Sequence, residues 1–305
     1  MNYLLGIDIG GTKYHVRAKR EQGRDIDLVV DSKGHLHQLG SKGMVKQIGV
    51  CVKQLQKKMQ TRLAPAGIAL GLAGLDSPKQ AREVQRALLA CSWWNGVDPA
   101  RRFLVSDVQI GLRAGTDQKA AIAIISGTGS NGYGIDHDGH EAWVSGRGEV
   151  LADQGSGYAI GVACLKAVCK AEDGRGPATK LRPLVFHTLR VQSSGGILNR
   201  IALSDFGKKQ IADLGILVME AAIGGDRVAR EILEEAAEEL ALMATTLHRR
   251  LHFGREKVDV VMIGGCINKN EEVRRLFLRK LRKESWANPV PLADDPVAGA
   301  IKMLQ

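Results

Sequence analysis

Two stretches of this chain, 118 residues apart, repeat one local plan. Tyr3 to Ile9 is an apolar run ending in an acid and an isoleucine. Gly10-Gly11-Thr12 follows, and Lys13 to Ala18 alternates again. Lys119 to Ser126 is a second apolar run, then come Gly127-Thr128-Gly129-Ser130 and a further short alternating run, Tyr133 to Ile135. Runs of this length and period read as strands, and the glycines between them as tight turns. A chain that does this twice, and each time continues with helices alternating with strands, predicts a duplicated α/β architecture with a cleft between its halves.

The remaining pattern fits that plan. Residues 43–63 repeat apolar positions at three and four (Met44, Val45, Ile48, Val52, Leu55, Met59) and predict a helix. Ile68 to Gly74 is a buried strand leaving through glycines, 78–90 a helix, and Arg102 to Asp107 a strand ending in an acid. In the second half, Asp138-Gly139 turns a hairpin into Glu141–Val144. Helices are predicted at 157–172, 209–222, 226–251 and 271–284, strands at 258–263 and 290–292, and Pro296 opens a terminal helix. With 305 residues and 44% hydrophobic content the chain can bury two cores. The expected domains are 1–117 and 118–305, with a helix near 296–305 able to pack back across the cleft.

The glycine turns invite three phosphate-binding readings. A Walker A loop requires G-x-x-x-x-G-K-[ST], and no such string occurs. Gly127 to Gly132 matches the dinucleotide fingerprint G-x-G-x-x-G, and Asp153 follows at about the expected distance. That motif works only when its glycines open a helix, whose N-terminus takes the pyrophosphate. Here an alternating segment and a hairpin follow instead. The third design is a strand hairpin whose turn N–H groups and short hydroxyls hold phosphate oxygens. Asp8 to Lys13 and Ser126 to Asn131 both suit it, and two such hairpins on matching strands are far more specific than one. Carboxylates near phosphates act through Mg²⁺ and its waters, which makes Asp8 and Asp153 candidates.

Charge and cysteine content exclude other classes. Residues 249–283 hold eleven Lys/Arg and four acids, directly after an acidic stretch at 226–239. Adjacent blocks of opposite sign read as solvated helix faces. Aromatics are 4% and the basic block holds only Phe253 and Phe277, too few to make a base-stacking surface, so no nucleic-acid partner is expected. The net charge of +10 suits an anionic nucleotide. No apolar run approaches the ~18 residues of a membrane helix, and the N-terminus lacks a signal-peptide pattern. Five scattered cysteines suggest no disulfide framework, and a cytoplasmic location is expected. Cys164 and Cys169 read as small residues on the sides of a helix.

At these motifs the sequence resembles the sugar kinase/Hsp70/actin superfamily, and within it the BadF-type ATPase and N-acetylglucosamine kinase family, over essentially its full length. Asp8-Ile9-Gly10-Gly11-Thr12 is similar to the first phosphate motif and Ser126-Gly127-Thr128-Gly129-Ser130 to the second. Gly71-Leu72-Ala73-Gly74 resembles the family's GxAG strand end. Ser106-Asp107 matches the segment that carries the catalytic aspartate. Asp153-Gln154-Gly155-Ser156-Gly157 is similar to D-E-G-S-G, Gly264-Gly265 to the adenosine motif, and Asp295 to Ala300 to the C-terminal segment.

The resemblance implies a duplicated actin-like (ribonuclease H-like) ATPase fold with two domains around a nucleotide cleft. It implies ATP- and Mg²⁺-dependent phosphorylation of a hydroxyl, the 6-OH, of an amino sugar, N-acetylglucosamine or glucosamine, by a homodimer. Asp107 is then the general base. Gly10, Gly11, Thr12, Lys13, Gly127, Thr128, Gly129, Ser130, Gly264 and Gly265 hold ATP. Gly71, Asp107, Asn131, Gly148 and Asp153 face the sugar, and Asp8 holds Mg²⁺ through water. The other reading of Asp107 is a helix N-cap. The sequence departs from the family where Arg147 replaces a Trp and Gln154 a Glu, and where no Asn stands near His35, His37 and Gln38. These histidines are surface loop residues or substrate contacts. Two alternatives share the fold: an ATPase activator of a dehydratase or reductase holding an iron–sulfur cluster, for which Cys164 and Cys169 are the available thiols, and a non-catalytic sugar-sensing scaffold.

Overall fold

The computed structural model describes residues 2–11, 13–32, 34, 36–75, 77–203 and 205–305. The chain forms two compact units, one of residues 1–118 with 292–305, the other of 119–291.

In the first unit the strands are β1 (Tyr3–Ile9), β2 (Lys13–Arg20), β3 (Ile26–Asp31), β4 (Gly67–Leu72) and β5 (Arg102–Val105). They form one sheet in the order β3-β2-β1-β4-β5. The hairpin strands β1–β2 and β2–β3 are antiparallel, whereas β1–β4 and β4–β5 are parallel. In the second unit β6 (Ala121–Ser126), β7 (Ser130–Ile135), β8 (Glu141–Ser145), β9 (Val258–Ile263) and β10 (Ala287–Pro291) pair in the order β10-β9-β6-β7-β8. Here too the hairpins are antiparallel and β6–β9–β10 parallel. The two sheets therefore have one topology, and the duplication read from the two hairpins extends to all five strands.

The central strands explain themselves. β4 is buried throughout and β1 nearly so, as expected of strands covered on both faces. Edge strand β3 (IDLVVD) is only partly covered, with Val29 56% exposed, and its weak alternation hides it from a reading of the sequence. Register then sets the site: Asp8 stands opposite His15 on β2 and Gly71 on β4.

Each unit has its own core. In the first, Met44, Ile48, Val52 and Leu55 of the helix Leu36–Lys58 lie in one cluster with Leu5, Ile7 and Leu70. This helix begins earlier than the periodicity suggests because two helical pieces join across Gly40, whose φ of 64° is non-helical. The terminal helix Pro296–Lys302 packs on the helix Asp107–Gly115 and on β1. In the second unit the helices Gly157–Glu172 and Arg227–Arg250 share one core with Ile122 and Ile124 of β6. The helices Leu181–Leu189 and Ser194–Ile201 give no clear signal in the sequence.

The opposed charge blocks face each other. Helix Glu271–Leu281 packs against helix Arg227–Arg250, and Arg279 meets Glu234 at 3.3 Å and Lys280 meets Glu238 at 2.5 Å. Part of the basic block is thus matched within the protein. Among the described residues no helix is long and apolar enough to cross a membrane.

Candidate active site

The first unit places acids at the carboxyl ends of β1 and β5. Asp8 is the penultimate residue of β1 and only 6% exposed. Burial, and then the neighbouring charge of Asp107, push its carboxyl up to about 7, with Lys13 pulling it down and Asp295 adding to the rise. Asp107 is half-buried and is the first residue of the helix Asp107–Gly115 that follows β5. The preceding residue supplies the cap. The Ser106 hydroxyl accepts the Gln109 N–H at 3.4 Å, while the Gln109 side chain accepts the Ser106 N–H at 3.0 Å. The N-cap role that was open for Asp107 belongs to Ser106. Asp107 Oδ1 accepts the N–H of Val108 at 3.0 Å.

Gly71 sets how closely that helix approaches. A Cβ at Gly71 would lie 2.2 Å from Ile110 Cδ1 on the helix that begins with Asp107. Gly71 thus determines the placement of the acid by letting its helix seat on the sheet.

The turn at Gly10 is closed by its N–H donating to Lys13 O at 3.0 Å. Gly11 is exposed, and Lys13 reaches Asp295 at 3.5 Å. Thr12 and His35 lie outside the described residues. His37 is exposed and meets Gln80 through Nδ1 at 3.3 Å. Behind the turn sits a group that the sequence did not signal. Buried His15 places Nε2 2.7 Å from Asp27 Oδ1, the oxygen that Arg17 Nε also donates to. Burial would raise the Asp27 carboxyl, but its hydrogen bonds to Arg17 and His15 outweigh that and lower it. Among the described residues His15 Nδ1 has no hydrogen-bond partner, and Asp295 Oδ2 is 3.9 Å away.

In the second unit, Gly127–Gly129 form the turn between β6 and β7. No helix starts there, so the G-x-G-x-x-G string is not a dinucleotide site. The turn's carbonyls point at a helix: Gly157 N–H donates to Gly127 O at 2.8 Å and Tyr158 N–H to Thr128 O at 3.3 Å. Among the described residues, no acceptor meets the N–H of Thr128 or of Gly129. Two such donors in a glycine turn are what a phosphate oxygen needs.

The 153–155 segment supports this turn. Ser126 Oγ donates to Gly155 O at 2.7 Å, Ser130 Oγ donates to Gln154 O at 2.7 Å, and Asp153 Oδ1 accepts the Ser130 N–H at 3.0 Å. Asp153 is 4% exposed, and its φ of 69° is in the left-handed region. Its second oxygen is engaged by Lys208 Nζ at 2.6 Å. Gly264 turns with φ 100° beside the same loop, and a Cβ there would be 2.5 Å from Ser126 O. Gly265 opens the short helix Gly265–Lys269. Asn131 is half-buried on β7, its Oδ1 without a hydrogen-bond partner among the described residues, while Gly148 is exposed at the head of the short helix Gly148–Leu151.

The structure thus brings Asp8, Asp107, Gly71, Gly10, Gly11 and Lys13 together in one unit, and Gly127–Asn131, Asp153 and Gly264–Gly265 in the other. Cys164 is fully buried, with burial pushing its thiol up to about 12, so it is not placed to ligate a cluster.

The BadF/BadG/BcrA/BcrD ATPase family profile matches residues 5–301. The chain belongs to this family. It is 32% identical over 270 residues to the N-acetylmuramic acid/N-acetylglucosamine kinase of Clostridium acetobutylicum, covering 88% of this chain and 86% of that one. It is 27% identical to the N-acetyl-D-glucosamine kinase of Dictyostelium discoideum, covering 97% and 96%. A solved Chromobacterium violaceum structure, provisionally named an N-acetylglucosamine kinase, superposes with a TM-score of 0.76 at 23% identity over 100% and 99% of the two chains, a likeness of fold. The family fold is the duplicated actin-like one expected from the sequence.

Sequence reasoning does not single out two participants of these sites. Asp295 lies inside a C-terminal motif, and the acid before Pro296 is the signal that could have marked it. Lys208 lies 55 residues from Asp153, and nothing local marks it.

Proposed function

We propose that this BadF-family chain is an ATP-dependent kinase that phosphorylates the 6-hydroxyl of an amino sugar, N-acetylglucosamine or glucosamine. The observation that carries the reading is the carboxylate pair of the first unit. Asp8 is buried, and Asp107 stands at the head of a helix, close enough for its charge to help raise Asp8 to about 7. The names of the curated relatives support the class of acceptor.

A sugar hydroxyl is a poor nucleophile, so a base must take its proton as it attacks phosphorus. Such a base contributes about 10²–10⁴-fold. Asp107 suits that role, since it is half-exposed and its helix is capped by another residue. On this reading Gly71 seats that helix, Asn131 and Gly148 serve the acceptor side, and Asp153, which the resemblance also places there, has both oxygens engaged by Ser130 and Lys208 and supports the nucleotide turn. The free N–H groups of Thr128 and Gly129, with Gly127, Ser130, Gly264 and Gly265, hold the nucleotide, and Gly10, Gly11, Thr12 and Lys13 line its phosphates. Positioning and charge stabilisation supply most of the remaining catalysis.

Mg²⁺ fits the donor set. Asp8 offers hard carboxylate oxygen in a buried place where two further acids, Asp107 and Asp295, make its negative charge costly, and it would hold the ion through water. When bound, Mg²⁺ neutralises charge on the transferring phosphoryl group. A homodimer is the proposed assembly, which light scattering tests.

The test of function is an ATP-consumption screen over glucosamine, N-acetylglucosamine, N-acetylmannosamine, N-acetylmuramic acid, glucose and no sugar, with the product's phosphate placed by NMR. Amino-sugar-dependent turnover giving a 6-phosphate is expected. Turnover that ignores sugar, or none at all, would overturn the reading and favour an activator ATPase or a sensing scaffold respectively.

A further inference from the structure

We infer that Lys208 is a positioning residue for the phosphate-binding turn, acting through Asp153 and affecting nucleotide rather than sugar binding. The inference rests on the kinase reading of the turn Gly127–Ser130.

The turn's last residue, Ser130, is fixed twice from the 153–155 segment, by Asp153 Oδ1 on its N–H and by the Gln154 carbonyl on its hydroxyl. The Gln154 contact is a neutral one to backbone. The Asp153 contact is charge-assisted, so it is the stronger and the more dependent on where the carboxylate is held. Asp153 does not hold itself. A non-glycine residue at φ 69° sits in a sparsely populated region and stays there only when its surroundings fix it. The same segment has Ser145 at φ 62° and three glycines, Gly146, Gly148 and Gly155, with positive φ.

Lys208 supplies the restraint. From the head of the helix Lys208–Asp213 its ammonium reaches Asp153 Oδ2 at 2.6 Å and Glu149 Oε2 at 3.1 Å, 5.5 Å from the centroid of the Tyr158 ring. Tyr158 itself donates its N–H to Thr128 O. One cation therefore meets two residues that each touch the turn, Asp153 at its end and Tyr158 at its middle. Burial alone would lower the lysine's pKa, but the bonds to Asp153 and Glu149 more than offset this and raise it, so the clamp is charged at neutral pH. With both its oxygens engaged by the protein, Asp153 is better fitted to anchor the turn than to serve as a sugar ligand.

The experiment compares Lys208→Met and Lys208→Arg with the wild type. It measures Mg·ATP affinity by calorimetry without sugar, then KM for ATP, KM for the amino sugar and kcat, with melting curves for each. Removing a charge-assisted restraint is expected to weaken Mg·ATP binding and raise KM for ATP about tenfold in Lys208→Met. KM for sugar should stay within about twofold, and Lys208→Arg should restore most of the loss. A Lys208→Met protein that binds Mg·ATP as the wild type does would overturn the inference. So would a loss in KM for sugar alone, or equal losses in Met and Arg that track melting temperature. A Lys208→Met that does not fold leaves the Arg variant to decide, because a tenfold loss there with intact folding also overturns it. If the wild type itself binds no Mg·ATP, the kinase reading fails first and this inference falls with it. A wild type that binds nucleotide alongside an unaffected variant removes only the role of Lys208.

Discussion

Replacing Asp107 by Asn separates the two roles a carboxylate can have at the start of a helix. If Asp107 served the helix, its loss would be read in stability. The hydroxyl of Ser106 already caps the first turn, and Gln109 completes the box. What Asp107 adds is a negative charge near the helix N-terminus, worth about 0.3–1 kcal/mol. Part of that is returned by relief of its repulsion with Asp8. The substitution is therefore expected to change stability by less than ~1 kcal/mol. Ser106→Ala, which removes the cap itself, should cost about 0.5–2 kcal/mol.

If Asp107 is the base, its loss is read in turnover. The expected fall in kcat is about 10²–10⁴-fold, or ~3–5 kcal/mol in the barrier. Because Asn cannot accept the proton but keeps the shape, Mg·ATP affinity should remain within a few-fold of wild type. The assay is coupled ATP consumption with saturating amino sugar, alongside calorimetric nucleotide binding and thermal melting. Turnover within tenfold of wild type in a folded protein would place the base elsewhere. A fall in activity matched by a fall in melting temperature would return Asp107 to a structural role.

Three further outcomes follow from the same geometry. The Asp8 carboxyl titrates at about 7 when folded and near 3.8 when unfolded, so its contribution to stability is full below about pH 4 and lost as pH rises through 7. Asp8→Asn should thus melt above the metal-free wild type at pH 8, by on the order of 4 kcal/mol at most, with no gain at pH 4 and with Mg·ATP turnover impaired; a gap independent of pH would contradict this. Gly71→Ala must displace Ile110, now 2.2 Å from the new Cβ, at a cost of about 1–3 kcal/mol, and by moving the helix that begins with Asp107 it should lower kcat more than either KM. Gly264→Ala combines a φ of 100° with a Cβ 2.5 Å from Ser126 O, so Mg·ATP binding should weaken while KM for sugar holds; an unchanged nucleotide affinity would detach Gly264 from the nucleotide.

What could be read from the sequence is what is locally encoded. Buried strands and glycine turns announce themselves within a few residues, which is why both hairpins, the topology they imply and the residues Asp8, Asp107 and Gly127–Ser130 were all visible. What could not be read depends on pairings across long separations. The charge blocks at 226–239 and 249–283 look solvated until their two helices pack and Arg279 finds Glu234. His15 reads as one more strand residue until β3, itself hidden by its half-exposed edge position, brings Asp27 to it. The departures from the family pattern can be weighed on the same ground. Gln154 replaces the expected glutamate, yet its side chain is exposed and its contact with Ser130 is made by the backbone carbonyl, which any residue offers. Arg147 is likewise exposed, between left-handed residues that a change of side chain does not alter. Both departures therefore change what the 145–155 segment presents to a ligand and leave intact how that segment holds the turn. On the kinase reading, acceptor choice is the property free to diverge from the relatives, and nucleotide handling is the one held fixed.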